Sequence, residues 1–195
     1  MPRVVVVPAT PLLVRGASGR TDALAGVRAV VRDVLVRELG DVLADAPVQV
    51  LGVGPTTRAG RLRPTLGAAG IADRQVPILA ALDDAATAWD GLASTGPSVA
   101  LLALADAGTD LARRPVDVVE LSPEASTAEV TAVVERLRHL RDDALLVVAD
   151  HPAPAVDAVV EALTAVGHWT TDVTDVPQRH EHLPPAYRVT VSRTR

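Results

Sequence analysis

The chain has 195 residues, of which 48% are hydrophobic and 22% charged, so disorder is excluded and one α/β domain spanning 1–195 is expected. It contains no Cys and no Lys, which excludes disulfides, thiolate ligands, a Schiff-base lysine and a Walker lysine. A net charge of −5 with two Trp and one Tyr argues against nucleic-acid binding. No apolar run approaches the roughly 20 residues that cross a bilayer, so we expect a cytoplasmic protein without a membrane partner.

The first half of the chain alternates strand and helix patterns. Arg3–Pro8 is apolar on both faces, as buried parallel strands are. Apolar residues recur at helical spacing between Thr21 and Ala44, which predicts a long amphipathic helix. Val48–Val53 is predicted as a second strand and Val76–Ala81 as a short third strand.

The middle of the chain is less regular. Asp84–Ala93 is predicted as a short helix. The apolar stretch Ser98–Ala107 fits a buried strand or a buried helix, and Pro97 before it with Gly108 after it favours the helix. Val116–Leu121 is predicted as a strand.

The last third repeats the alternation. Ser126 and Glu129 form a capping box that opens a helix, and Ala144–Ala149 is a buried strand. Helical spacing returns over Val156–Val166, and Tyr187–Ser192 alternates like a final edge strand. The whole pattern predicts a three-layer α/β/α fold with a mainly parallel central sheet.

Asp150 and His151 follow the buried strand Ala144–Ala149 directly. In open α/β sheets, ligands bind beyond the carboxyl ends of the strands, so a carboxylate and an imidazole there form a candidate acid/base pair or metal site. The alternative is that Asp150 caps the following helix and His151 is an exposed neighbour, which Pro152 and Pro154 favour.

His180 and His182 lie within 170–185, the longest stretch predicted to be irregular. Two His separated by one residue occur in metal sites, and together with His151 and Asp150 they would suit Fe(II) or Zn(II). The alternative is that these loop histidines are exposed and have no partner. We favour that alternative, and we therefore expect that the protein has no cofactor.

Glycines, hydroxyls and an arginine follow the second strand, in the segment 52–58. Such a turn resembles a phosphate cradle, so Thr10, Gly54, Thr56 and Arg58 are candidate ligand-binding residues. The segment fits neither the dinucleotide nor the P-loop motif, and the alternative is a tight turn between a strand and a loop.

Four segments resemble one family when they are taken in order: VVVPATPLLVRGASG, VLGVGPTTRAGRLRPTLGAAGI, ALLVVAD and LPPAYRVTV. They are similar to bacterial proteins, particularly actinobacterial ones, grouped with the catalytic B subunit of class III extradiol ring-cleavage dioxygenases. The resemblance implies a three-layer α/β/α fold. In active members it also implies a non-haem Fe(II) held by two His and a carboxylate, with a further His as acid/base.

The chain departs from this family at its metal site. The family's first metal-ligand His lies within a Pro-His-x-Pro motif, and here Ala9 stands between Pro8 and Thr10. Around the later strand only Asp150 of the family's turn is retained. We therefore expect a non-catalytic or divergent domain that binds a small molecule. The alternatives are a metal-dependent dioxygenase or hydrolase using Asp150, His151, His180 and His182, and a homodimeric assembly module.

Overall fold

The computed structural model describes residues 2–18, 22–41, 46–83, 88–139 and 143–194. Nine strands and five α-helices lie within these ranges, besides short 3₁₀ turns at Pro11–Leu13, Gly67–Ala69 and Asp73–Gln75. The strands are β1 Arg3–Pro8, β2 Val48–Val53, β3 Arg58–Gly60, β4 Leu62–Arg63, β5 Gly91–Leu92, β6 Val116–Leu121, β7 Leu145–Asp150, β8 Trp169–Pro177 and β9 Ala186–Thr194. The helices are α1 Ala25–Gly40, α2 Pro77–Asp83, α3 Thr95–Asp106, α4 Thr127–Arg138 and α5 Pro154–Thr164.

Seven strands form a mixed sheet in the order β3-β6-β2-β7-β1-β9-β8. The four central strands β6, β2, β7 and β1 are parallel, whereas β3, β9 and β8 are antiparallel to the strands they pair with. β4 and β5 pair separately as a two-stranded parallel sheet. The prediction that the four main apolar strands lie side by side and parallel is confirmed.

Alternate residues of the central strands face two separate apolar clusters. Val5, Val50 and Val147 are buried in a cluster that includes residues of α1 and α3. Leu51 and Val148 are buried in the other cluster, with residues of α4 and α5. Since successive strand residues point to opposite faces, this explains why these strands are apolar at nearly every position.

The helix ends follow their sequence signals. In the capping box of α4, the Ser126 hydroxyl accepts from the Glu129 N–H and the Glu129 carboxylate accepts from the Ser126 N–H, as predicted. Of the predicted segment Ser98–Ala107, all residues up to Asp106 are helical in α3 and Ala107 is the C-cap, as Pro97 and Gly108 favoured. None of the helices in the described residues is long and apolar enough to cross a membrane.

Three local predictions are wrong in part. Val76–Ala81 is not a strand, because Pro77 begins helix α2, and proline suits the first turn of a helix. The helix predicted for Asp84–Ala93 is absent from residues 88–93, where Gly91 and Leu92 pair with β4, and residues 84–87 lie outside the described ranges. The long first helix begins at Ala25, and residues 21 and 42–44 of its predicted span lie outside the described ranges.

The first half of the stretch predicted to be irregular over 170–185 is a strand. Residues 169–177 form β8, and only 178–185 are a turn. β8 therefore occupies the edge position predicted for Tyr187–Ser192, which lies inside the sheet between β1 and β8. β8 lacks a periodic apolar face because Thr171 to Asp175 are exposed on both sides, so the hydrophobic pattern carries no signal for it.

Candidate functional site

A crevice opens at the carboxyl edge of the parallel strands because their connections run to opposite faces. The chain leaves β1 and β2 toward α1 and α3, on one face, and leaves β6 and β7 toward α4 and α5, on the other. β7 lies between β1 and β2, so the connections diverge on both sides of it. Such divergence is where open α/β sheets bind their ligands.

A cleft with a volume of about 540 Å³ lies at this edge. Its apolar lining consists of Ala9 and Pro11 after β1, Val53 and Pro55 at the end of β2, and Pro123 after β6. Gly54 also lines the cleft. The remaining lining residues are His151 and three residues at the start of α3, namely Ser94, Thr95 and Gly96.

The amino-terminal end of α3 packs closely against the strand ends because the residues there are small. A Cβ added at Gly96 would lie 3.5 Å from the Ala9 Cβ and 3.6 Å from the Ala149 Cβ. A Cβ added at Gly52 would lie 3.0 Å from the Pro97 Cγ, which is tighter than ordinary van der Waals contact. The first turn of α3 is therefore held directly over the ends of β1, β2 and β7.

A buried carboxylate fixes this helix end. Glu120 of β6 is fully buried, and its Oε1 accepts a hydrogen bond of 2.6 Å from the Ser94 N–H. Its Oε2 accepts a hydrogen bond of 2.7 Å from the Arg58 Nε, and the Arg58 Nη2 also donates to the Leu92 carbonyl. Pairing and hydrogen bonding at both oxygens compensate for the cost of burying this charge.

The predicted ligand-binding residues separate in the structure. Gly54 lines the cleft, and a Cβ there would lie 2.6 Å from the Glu120 Oε2, so its lack of a side chain serves packing. Arg58 is occupied by Glu120 and by the Leu92 carbonyl. Thr56 is exposed and Thr10 is half-buried, and neither lines the cleft. Of the four predicted residues, the cleft lining thus includes Gly54 and not Thr10, Thr56 or Arg58.

Asp150 and His151 lie at the carboxyl edge as predicted, and His151 lines the cleft. Asp150 does not cap α5, whose N-cap is Ala153 and has no side-chain cap. Surrounding protein atoms, together with the charge of Asp157, raise the pKa of the Asp150 carboxyl above its ordinary value. Both residues also border an adjacent cavity of about 380 Å³ beside α5.

His180 and His182 lie in the turn between β8 and β9. Because β8 runs in the same direction as β1, this turn is at the same edge of the sheet as the cleft. Both side chains are exposed, and neither lines the cleft. In the described residues, no three His, Asp or Glu side chains are grouped closely enough to hold a metal ion. The structure thus does not bring Asp150, His151, His180 and His182 together as one set of metal ligands. Ala9, which follows β1 in the lining of the cleft, has no side-chain donor atom.

Sequence reasoning missed the α3 end of the site. Ser94, Thr95 and Gly96 precede a predicted helix and could have been identified as its first turn. Glu120 also carried a signal, since an acidic residue in an apolar buried strand needs a partner. What the sequence lacked was any local indication that Arg58 is that partner.

In comparisons with known proteins, no family model matches the chain and no curated protein shows significant similarity to it.

Proposed function

We propose that this chain binds a small molecule in the cleft at the carboxyl edge of its sheet. The observation that carries the proposal is the position of the cleft, between strands whose connections diverge and against the first turn of α3. The sequence pattern and the resemblance to the dioxygenase B-subunit family support a three-layer α/β/α arrangement for this domain, and the cytoplasmic location stays a prediction from the sequence. The binding itself needs no metal.

The lining indicates which chemistry the ligand has. Three prolines, Val53 and Ala9 give the cleft an apolar wall that suits a compact hydrocarbon body. The cleft is also lined by Thr95, Gly96 and His151, which offer a hydroxyl, backbone N–H groups at the start of α3 and an imidazole. These donors would suit a hydrogen-bond acceptor or a carboxylate on the ligand.

We favour a domain that binds a small molecule without cleaving a ring over an enzyme that depends on iron or zinc. An Fe(II) site of the kind that the resemblance implies needs two His and a carboxylate. Among the described residues that line the cleft, His151 alone carries an imidazole, and Ala9 occupies the position where the resemblance implies a second His. The donors of the described residues therefore do not fit that metal.

Binding is tested by saturation-transfer NMR, with cyclohexanecarboxylate as the probe. Ala9→Leu places a larger side chain in the lining of the cleft and narrows it, whereas Ala68→Leu adds the same volume at an exposed position outside it. We expect the carboxylate to bind wild type and Ala68→Leu, to bind His151→Ala more weakly, and not to bind Ala9→Leu.

The proposal fails if the carboxylate gives no saturation transfer with wild type. It fails equally if Ala9→Leu, shown to be folded by circular dichroism, binds the carboxylate as strongly as wild type does.

A further inference from the structure

A second cavity lies on the face of the sheet that carries α1 and α3. It has a volume of about 110 Å³ and lies between α1, α2, α3 and the turn that follows β1. None of the described residues that line it also lines the cleft. Its wall is formed mainly by apolar side chains, which include Leu13, Val14, Val31, Ile78, Val99 and Leu102. Apolar cavities stay dry and accept apolar molecules, so this wall suits a hydrocarbon group.

The elements that bound this cavity are packed against one another. The Leu13 carbonyl accepts a hydrogen bond of 3.3 Å from the Arg28 Nη1, which joins the turn after β1 to α1. A Cβ added at Gly16 would lie 3.4 Å from the Pro77 Cδ, so the same turn is in contact with the start of α2. Gly16 has a φ of +88°, a left-handed conformation that glycine adopts without strain. The turn therefore holds α1 and α2 on two sides of the cavity.

Most of the charged residues that line this cavity are arginines. Arg15 and Arg32 are exposed, whereas Arg28 is only 9% exposed. Asp106 is exposed and is the one acidic residue among the described lining residues. The lining thus carries more positive than negative charge around an apolar space, which favours a negatively charged group on the ligand.

Arg15 is the arginine that is available to bind such a group. Arg28 is paired with Asp22, and the Arg32 Nη2 lies 3.1 Å from the Asp33 Oδ1. Within the described part of the chain, no hydrogen bond or ion pair engages the Arg15 side chain. A guanidinium of this kind can take a carboxylate through two parallel N–H···O hydrogen bonds.

We propose that this cavity binds a short aliphatic carboxylate, with its hydrocarbon chain between α1 and α3 and its carboxylate on the Arg15 guanidinium. The volume limits the size of the chain. An apolar cavity of about 150 Å³ holds one benzene molecule, so about 110 Å³ takes roughly four carbon atoms. The isobutyl group of 3-methylbutanoate has this size. Because Arg15 is exposed, the bound carboxylate keeps part of its contact with water, which limits the cost of desolvation.

An NMR titration with 3-methylbutanoate, and with 3-methylbutanamide as its neutral counterpart, tests the role of Arg15. Charge-assisted hydrogen bonds are about twice as strong as neutral ones, so we expect wild type to bind the carboxylate about 10-fold more tightly than the amide. Arg15→Gln should bind the carboxylate about 10-fold more weakly than wild type and the amide equally well. Arg113→Gln is the matched control, because the Arg113 side chain is 90% exposed and does not line the cavity, and it should bind both molecules as wild type does.

A second pair of variants tests the place of binding. Ala103→Leu puts a larger side chain into the lining of the cavity and should abolish binding of both molecules. Ala132→Leu adds the same volume at an exposed position of α4 and should leave binding unchanged. Filling an apolar cavity adds contacts, so Ala103→Leu should melt at a temperature no lower than that of wild type. Ala9→Leu narrows the cleft alone, and it should bind 3-methylbutanoate as wild type does.

Three results would overturn the proposal. One is the absence of chemical-shift changes when wild type is titrated with 3-methylbutanoate. Another is equal affinity of wild type and Arg15→Gln for the carboxylate, which requires no change in the core because Arg15 is exposed. The third is loss of binding in Ala9→Leu instead of in Ala103→Leu, which would assign the carboxylate to the cleft.

Discussion

Arg58 and Glu120 face each other directly across the antiparallel pair of β3 and β6, and the Arg58 Nε lies 2.7 Å from the Glu120 Oε2. They are 62 positions apart in the chain. The second oxygen of the same carboxylate holds the N–H of Ser94, the N-cap of α3. One side chain thus joins the edge of the sheet to the helix end that borders the cleft.

Replacing Arg58 should destabilise the fold. Arg58→Met leaves the buried Glu120 carboxylate with the Ser94 N–H alone, and we expect the free energy of unfolding to fall by about 3 kcal/mol. Urea unfolding at pH 7 measures it. Arg113→Met is the control, because the Arg113 side chain is 90% exposed, and it should change stability by no more than about 0.5 kcal/mol. Equal midpoints for the two variants would contradict the structural role of Arg58.

Gly54 should not tolerate a methyl group. Its added Cβ would lie 2.6 Å from the Glu120 Oε2 and 2.8 Å from the Glu120 Cβ, so Gly54→Ala should cost about 1–3 kcal/mol of stability. Gly26→Ala is the matched change, since nothing lies within 4 Å of a Cβ there and the position is in the first turn of α1. It should be neutral or stabilising by up to about 1 kcal/mol. Thermal unfolding compares the two, and a Gly54→Ala protein as stable as wild type would disprove the packing argument.

Stability should fall in acid through Glu38 of α1. Burial alone would raise the pKa of this carboxyl, but hydrogen bonds from Arg193 and Arg37, with their charges, outweigh burial and leave the pKa below its ordinary value. A carboxyl with a lowered folded pKa stabilises the protein above its unfolded pKa, about 4.3, and loses that contribution as the pH falls through the folded pKa.

Glu38→Gln tests this pH dependence. We expect the variant to be less stable than wild type at pH 7 and to lose less stability between about pH 5 and pH 3, measured by urea unfolding at each pH. Glu135→Gln is the control, because Glu135 is exposed. Among the ion pairs of the described residues, Glu135 has one partner, Arg138, which lies one turn away on the same helix. If Glu38→Gln keeps the acid dependence of wild type, another carboxyl is responsible.

Restoring a histidine at the end of β1 should not create ring cleavage. Ala9→His adds one imidazole to the cleft that His151 lines, but none of the described residues lining this cleft is an Asp or a Glu. We expect no oxygen consumption above wild type when the variant is given catechol and Fe(II), as followed with an oxygen electrode. Ala68→His, at an exposed position, controls for iron bound elsewhere. Oxygen uptake by Ala9→His alone would show that the remaining residues can complete an iron site.

Local patterns were sufficient where a single segment decides its own structure. Val5 and Val147 lie in runs that are apolar on both faces, and burial between two helix groups is what such runs require. Ser126 and Glu129 satisfy each other's hydrogen bonds within one turn, so the start of α4 could be predicted from four residues. Pro77 carried a helix signal as well, but it was outweighed by the β-branched and aliphatic residues around it.

β8 shows the opposite case. Its Thr and Asp residues have no apolar periodicity, and its strand conformation comes from backbone hydrogen bonds to β9 rather than from a buried face. Ser94 and His151 are a similar case, since they are 57 positions apart in the chain and line one cleft only because α3 packs over the end of β7. Hydrophobic periodicity records burial along one element, and it carries no information about which elements become adjacent.

The sequence by itself determined the parallel centre of the sheet and the exclusion of cysteine and lysine chemistry, and it predicted a site at the carboxyl edge. The tertiary structure decided which groups meet there. It placed Arg58 on Glu120 rather than at a ligand, and it left His180 and His182 exposed beyond the cleft. The reason is physical: composition and spacing fix which residues must be buried, whereas the pairing of two distant side chains depends on the packing of helices and strands against one another.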